Sequence, residues 1–398
     1  MKKLVLGVSF CAFNLLNALT FGSMGNTSAG LGDSGVALRK SAWGIYYNPA
    51  LLASDNRGKF GYSVGIGMEQ RGLGDVLSAL MGGGGNNIDI TQLYNQLNDH
   101  PTNSLALSSQ NGLVIQITGG VREIPKLDAE GNPTDEIIEV RSPIGAFTMA
   151  AFLSAFGSGN IGTTTNTGTN STSLQATGKL DGMILLEVPI GWGWRFETSG
   201  GDISIGGAIK YMGASAFDFG IDGKVTSSGD ANFTLLKNTS SLTPVSSFGI
   251  DLGLLYSIYG VNVGLVAKNI NVPTFDLGNG QKVKISPQFR VGLSYEFAEY
   301  FTLTFDSDLA PNDYLFDGSY KTQMIGGGLL MDFKYIDLRF GLMGDMTNKF
   351  DNGVVITGGI NLLGFLDVAI QASSEMFKFN SYKIPDALNV KVGGSFTF

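Results

Sequence analysis

Gln288–Phe297 reads QFRVGLSYEF. Phe289, Val291, Leu293, Tyr295 and Phe297 fall on one side of a period of two, and Arg290, Gly292, Ser294 and Glu296 on the other. Side chains of a strand point to opposite faces at successive residues, so this stretch is a strand with one apolar face and one small or polar face. The same pattern recurs in FGYSVGIGMEQ, where Phe60, Tyr62, Val64, Ile66 and Met68 alternate with Gly61, Ser63, Gly65, Gly67 and Glu69. It closes the chain in NVKVGGSFTF, with Val390, Val392, Phe396 and Phe398 against Lys391, Gly393, Ser395 and Thr397. Runs of about 10 residues suit strands that cross a bilayer at a tilt.

Working outward, strands are expected near 60–70, 112–120, 143–155, 180–195, 202–212, 246–258, 260–270, 288–298, 299–309, 322–333, 335–346, 353–363, 365–376 and 388–398. These are about fourteen, the even number of a bacterial outer-membrane barrel. With both termini on the periplasmic side, the connections at 196–202, 259–260, 296–300, 333–336 and 363–365 face the periplasm and are short. Those at 71–111, 156–179, 213–245, 271–287, 310–321, 346–353 and 377–387 face outward and are mostly long, as barrels require. Trp192, Trp194, Tyr256, Tyr259, Tyr295, Phe297, Tyr300, Phe333, Tyr335 and Phe365 gather at the short turns as an interfacial girdle. A soluble β-sandwich has no reason to collect aromatics at one end. Residues 121–142 break the pattern. They read as a hairpin turning at Glu130-Gly131-Asn132-Pro133, inserted where a short turn belongs.

The composition agrees. Charged residues are 15% of the 398, and glycine is unusually frequent at 57. A net charge of −8 argues against nucleic acid as a partner, since phosphate binding needs a basic surface. Met1–Leu16 carries two lysines and an apolar run, followed by Asn17 and Ala18. This reads as a secretory signal peptide over 1–18. The single cysteine, Cys11, lies inside it, so disulfide, thiol and C-x-x-C redox chemistry are not expected. His100 is the single histidine and sits before a proline in NDHPT. A Ser-His-Asp site using it is a minor option, because a solvated loop histidine fits better; no enzyme activity, cofactor or metal is expected. Gly30–Gly35 fits G-x-G-x-x-G but has no strand before it and no βαβ unit around it, so it reads as an entry loop.

Residues 19–59 do not alternate. A barrel of this size is wide enough that wall side chains need not fill it. A segment rich in small residues before the first strand is a natural plug, with Arg39 and Lys40 available to inward carboxylates. Pro49 fixes its own φ and pushes Asn48 towards an extended conformation, so the step holds a bend. The combination of MGNTSAGLGDSGVAL with YYNPALLA, ahead of a β-rich body, resembles the FadL/TodX superfamily of outer-membrane hydrophobic-compound transporters. It is also similar, over the whole length, to TraF-like "conjugal transfer" outer-membrane proteins. The resemblance implies a hatch at 19–59 carrying the motif Asn48, Pro49 and Ala50, and a barrel over 60–398. It further implies that the terminal Phe398 is read by the barrel-assembly machinery in the bacterial outer membrane.

In the connection 71–111, Leu73, Val76, Leu77, Leu80 and Met81, then Ile90, Leu93, Tyr94 and Leu97, follow helical spacing on either side of four glycines. Their apolar faces either pack on the barrel rim or capture a greasy ligand from outside; the resemblance implies the second. Residues 157–175 are polar and low in complexity, an outer loop. The strand PIGAFTMAAFLSA is apolar on both faces, so Phe147, Met149 and Leu153 are expected to line a lumenal pocket. The leading expectation is an all-β, transmembrane antiparallel barrel with a plug, partnered by the lipid bilayer and a hydrophobic small molecule such as a long-chain fatty acid or hydrocarbon. The rival is an anchor or docking component of a conjugation or secretion system. An apolar lining near the top of the barrel favours transport. A lumen filled by paired Lys210, Asp251, Lys268, Arg290 and Asp337 favours docking.

Overall fold

The computed structural model describes residues 15–17, 22–55, 57–71, 104–119, 121–128, 131–141, 145–167, 172–226, 231–238, 244–277, 282–314, 317–333, 335–347, 353–379 and 382–398. Fourteen strands form one closed antiparallel ring. They are β1 (Lys59–Arg71), β2 (Ser104–Ile117), β3 (Ala146–Thr167), β4 (Thr172–Thr198), β5 (Gly201–Thr226), β6 (Val245–Ile258) and β7 (Val261–Lys268). The second half is β8 (Gln288–Phe297), β9 (Phe301–Asp308), β10 (Met324–Asp332), β11 (Ile336–Asp345), β12 (Val355–Leu362), β13 (Leu366–Ser373) and β14 (Ala387–Thr397). Each pairs with the next, and β14 pairs with β1 from Lys59↔Thr397 to Glu69↔Ala387. Gly58 and Phe398 exchange backbone hydrogen bonds at the seam, both 2.9 Å. The expected strands all occur, at the expected places.

Alternation decides which way each side chain points. On β8, Gln288, Arg290, Gly292-flanking Val291 aside, and Ser294 turn inward, while Phe289, Leu293 and Tyr295 are exposed. The exposed set continues around the ring through Ile66, Ile209, Phe248, Leu303, Phe340 and Ile356. An apolar outer face on a closed barrel, where every backbone group is paired to a neighbour, is the arrangement a bilayer demands. The girdle residues stand at the short-turn end. Trp192 stacks on Trp194 at 5.3 Å, Tyr295 on Phe297 at 5.6 Å, and Phe365 meets Phe396 at 5.5 Å.

Three strands, β3, β4 and β5, run 22, 27 and 26 residues and extend past their neighbours on the long-loop side. The ladder between β3 and β4 is interrupted: pairs run to Met149↔Ile190 and resume at Phe152↔Glu187. Pro189, which has no N–H to donate, lies in that gap. Residues 121–141 form a separate antiparallel hairpin at the short-turn end, as the sequence suggested, with Gly131 at φ +87° in its turn. Leu15–Asn17, within the segment expected to be a signal peptide, pairs in parallel with Lys282–Lys284.

Candidate functional site

The chain from Gly22 to Asp55 lies inside the ring and is almost wholly buried. It carries three short turns of helix, Asn26–Ala29, Gly44–Tyr47 and Pro49–Ala53. Trp43, Tyr46 and Tyr47 form its apolar centre. Tyr46 meets Phe152 of β3 edge-on at 5.3 Å, and Trp43 lies 6.5 Å from the same ring.

Glycines of the wall let this segment come close. Gly193, Gly206 and Gly253 stand opposite one another across β4, β5 and β6. A methyl group at Gly206 would collide with the carbonyl carbon of Pro49, and one at Gly253 with the Asn48 carboxamide. One at Gly193 would lie 2.9 Å from the Ala53 nitrogen. On the far wall, Gly328 and Gly341 are paired neighbours that receive Leu31 and Gly32. Much of the chain's glycine therefore serves close backbone approach.

Asn48 is extended at φ −162°, ψ 110°, and Pro49 opens the 3-10 turn that follows. Its carboxamide is fully used. Oδ1 accepts from the Ala50 nitrogen at 3.0 Å, and Nδ2 donates to the carbonyls of Val36 at 2.9 Å and Leu254 at 3.1 Å. One side chain thus fixes its own turn, the earlier part of the segment and the wall strand β6.

Charges hold the rest. Arg290 Nε donates to Asp308 at 2.6 Å, and its Nη1 reaches Asp33 at 3.3 Å. Tyr47 donates to Asp33 at 2.9 Å. Burial pushes the Asp33 carboxyl above its ordinary range, against the lowering influence of Arg290 and Tyr47. Burial likewise pushes both Tyr46 and Tyr47 well up, so these phenols stay protonated donors. Asp306 accepts from the backbone nitrogens of Gly35 and Val36 at 2.8 and 2.9 Å. Lys210 bridges Glu187 and Asp251 at 2.9 and 3.0 Å, and Lys268 sits 3.4 Å over the Tyr46 ring. Arg339 pairs with Asp367.

Above this charged layer, towards the long loops, the lumen turns apolar. Met183 and Leu185 of β4, with Met212 and Ala214 of β5, face Phe275, Val283 and Ile285. The last three belong to a hairpin of Thr274–Asp276 and Lys282–Lys284, and Phe156, Val245 and Leu277 pack around it. At the opposite end a cavity of about 280 Å³ separates the segment from the wall. Leu38, Lys40 and Arg57 line it from the segment, and Leu330, Asp332 and Asp337 from β10 and β11.

A family model described as F plasmid transfer operon, TraF, protein matches residues 45–308. The chain belongs to this family. Among solved structures, the toluene transporter TodX of P. putida aligns over 95% of this chain and 99% of its own, with a TM-score of 0.52 at 11% identity. A TodX deltaS2S3 mutant, titled a monoaromatic hydrocarbon channel, covers 94% and 98%, with a TM-score of 0.51 at 10% identity. At such identities the likeness concerns the fold. No curated protein matches the chain.

Within this TraF-family barrel the motif residues Asn48, Pro49 and Ala50 are brought together at the wall. The proposed pocket residues are not. Phe147, Met149 and Leu153 are 41%, 50% and 45% exposed on the outer face, and the inward positions are Ala146, Thr148, Ala150 and Phe152. On a strand apolar on both faces, composition carries no sign of which face is inside. The capture residues Leu73, Val76, Leu77, Leu80, Ile90, Leu93, Tyr94 and Leu97, like His100, lie outside the described residues. Lys40 pairs with Asp332 at 3.5 Å, as expected of it, but Arg39 donates instead to the Ser54 carbonyl at 2.7 Å. Asp33, Asp306, Asp308 and Glu187 were not singled out from sequence; for the three on strands, the signal available was a carboxylate on the polar side of an alternating run.

Proposed function

We propose that this protein sits in the bacterial outer membrane and passes hydrophobic small molecules inward, with the segment 22–55 as its hatch. The observation that carries this reading is the apolar wall of Met183, Leu185 and Met212, closed over by Phe275, Val283 and Ile285 directly above the segment. A ligand that displaced the 274–284 hairpin would meet apolar surface on every side. Burial at about 25 cal/mol per Å² then holds an acyl chain or an aromatic ring without any charge. The fold shared with a toluene transporter supports the same class of cargo.

Onward movement has two candidate routes. Expelling the whole segment is disfavoured, because breaking one buried ion pair costs about 3–5 kcal/mol and Arg290–Asp33 is one of several contacts. The segment is weakest at the 280 Å³ cavity, where Lys40–Asp332 is a partly exposed pair of about 0–1 kcal/mol. A local shift of residues 38–42 opens that end. The second route is sideways, through the ladder gap at Pro189. Phe398 is proposed to be the residue read by the barrel-assembly machinery.

A docking or anchoring role in conjugation or secretion is the second reading. The paired charges of the middle lumen, Lys210 with Glu187 and Asp251 and Arg290 with Asp33 and Asp308, favour it, since they fill space a wide channel would leave open. Uptake of labelled toluene and labelled long-chain fatty acid by cells with and without the protein separates the two. Uptake that depends on the protein, and fails in Pro49→Leu at equal membrane level, supports transport. Unchanged uptake together with lowered conjugation or secretion frequency would sink it.

A further inference from the structure

The hairpin of Val121–Leu127 and Pro133–Arg141 pairs with no other strand among the described residues. An isolated two-stranded hairpin is marginal in water, and an end strand presents unpaired N–H and C=O groups along its outer edge. The two edges differ. The 121–127 strand contains Pro125 and a register shift between Pro125 and Leu127, both of which spoil an edge for pairing. The 133–141 strand has no proline after Pro133 and no register shift before Arg141 beyond that point. On it, Ile137 is 63% exposed.

Charge says what fits there. Residues 121–141 carry six carboxylates against three cations, and Asp135, Glu136 and Glu139 lie on the open strand itself. Lys126 is already occupied by Glu136 at 2.8 Å. A second copy of the same strand, paired antiparallel about Ile137, would set Asp135 against Glu139, and like charges directly opposite are destabilising.

We propose that the outer edge of 133–141 is a docking edge for a basic, extended segment of another protein, which adds as a third strand. Main-chain hydrogen bonds supply the affinity, and alternate lysine or arginine side chains over the acidic face supply the selectivity. The hairpin stands at the short-turn end of the barrel, so the partner is met on that side. This inference does not depend on what passes through the lumen.

The test uses the purified full-length barrel in detergent and fluorescence anisotropy with three labelled nine-residue peptides: alternating Lys/Val, alternating Glu/Val, and Lys/Val with alternate nitrogens methylated. The expected result is binding of Lys/Val that is roughly tenfold or more tighter than of the other two, from several cross-strand charge pairs and the lost ladder bonds. It weakens at high salt. Glu136→Lys with Glu139→Lys reverses the preference towards Glu/Val. Replacing 121–141 by a four-residue glycine-asparagine turn abolishes binding while heat-modifiable gel migration still reports a folded barrel. Equal binding by the shortened barrel, or equal affinity for basic and acidic peptides, overturns the proposal. So does a hairpin-dependent dimer with no peptide binding, since the occupant is then a second copy.

Discussion

The Asn48 side chain donates to the Leu254 carbonyl at 3.1 Å across a wall position, Gly253, that has no room for a methyl group. The hydrogen bond and the missing side chain are one device: the carboxamide reaches the strand backbone because the neighbouring residue is glycine. Gly253→Ala is therefore expected to destabilise the barrel by about 1–3 kcal/mol through overpacking, or to lift the 48–50 turn off the wall. Gly207→Ala, whose added methyl would find its nearest atom at 3.7 Å, is the neutral control. Thermal unfolding and ion conductance in planar bilayers read the two effects; equal behaviour of the two variants would remove the wall glycines from the argument.

Asn48→Ala leaves the Val36 and Leu254 carbonyls without this donor and the Ala50 nitrogen without its acceptor. Loss of buried partners costs about 1–3 kcal/mol per group left unsatisfied. The barrel wall itself is untouched, so surface expression is expected to hold while uptake falls. Asn48→Asp restores one acceptor and no donor, and is expected to fall short of wild type. Wild-type uptake in both variants would mean the motif only fills space.

The strands were legible because alternation survives any tertiary context: lipid outside and polar contents inside impose a period of two on β8 as on β14. The inserted hairpin at 121–141 was legible from its own turn residues and its charge. Two things were not. The inside of β3 could not be told from its outside, because Phe147 and Phe152 are equally apolar; the ring of Tyr46 makes Phe152 the inner one. The partners of inward charges were also hidden. Arg290 shows its direction by parity, but that it meets Asp33, more than 250 residues earlier, is a consequence of the segment threading the lumen. Glycine misled in a similar way. It reads as looseness in a strand, while at Gly206 and Gly328 it is the space into which another backbone fits.

Asp33 makes stability depend on pH in a definite direction. Its folded-state pKa is raised by burial, so the folded state binds the proton more tightly than the unfolded chain. Its contribution is fully present below the unfolded value of 3.8 and is lost as pH rises through the folded value. Asp33→Asn lacks that dependence. The stability of the wild type relative to the variant is expected to decline as pH rises from below 3.8, measured by denaturant or thermal unfolding across that range. A flat difference would show that Arg290 fully offsets the burial.

Two substitutions separate the two exits. Lys40→Ala removes a partly exposed pair with Asp332 at the cavity. It is expected to change stability by less than about 1 kcal/mol and to raise uptake if cargo leaves past residues 38–42. Pro189→Val restores an N–H to β4 opposite the unpaired Ala150–Ala151 stretch of β3. It is expected to raise the unfolding temperature and, if cargo leaves sideways, to lower uptake. Uptake raised by the first and unaffected by the second assigns the exit to the short-turn end. Uptake lowered by the second alone assigns it to the gap beside Pro189. No response to either, with wild-type uptake intact, would rule out both routes and return the problem to the segment as a whole.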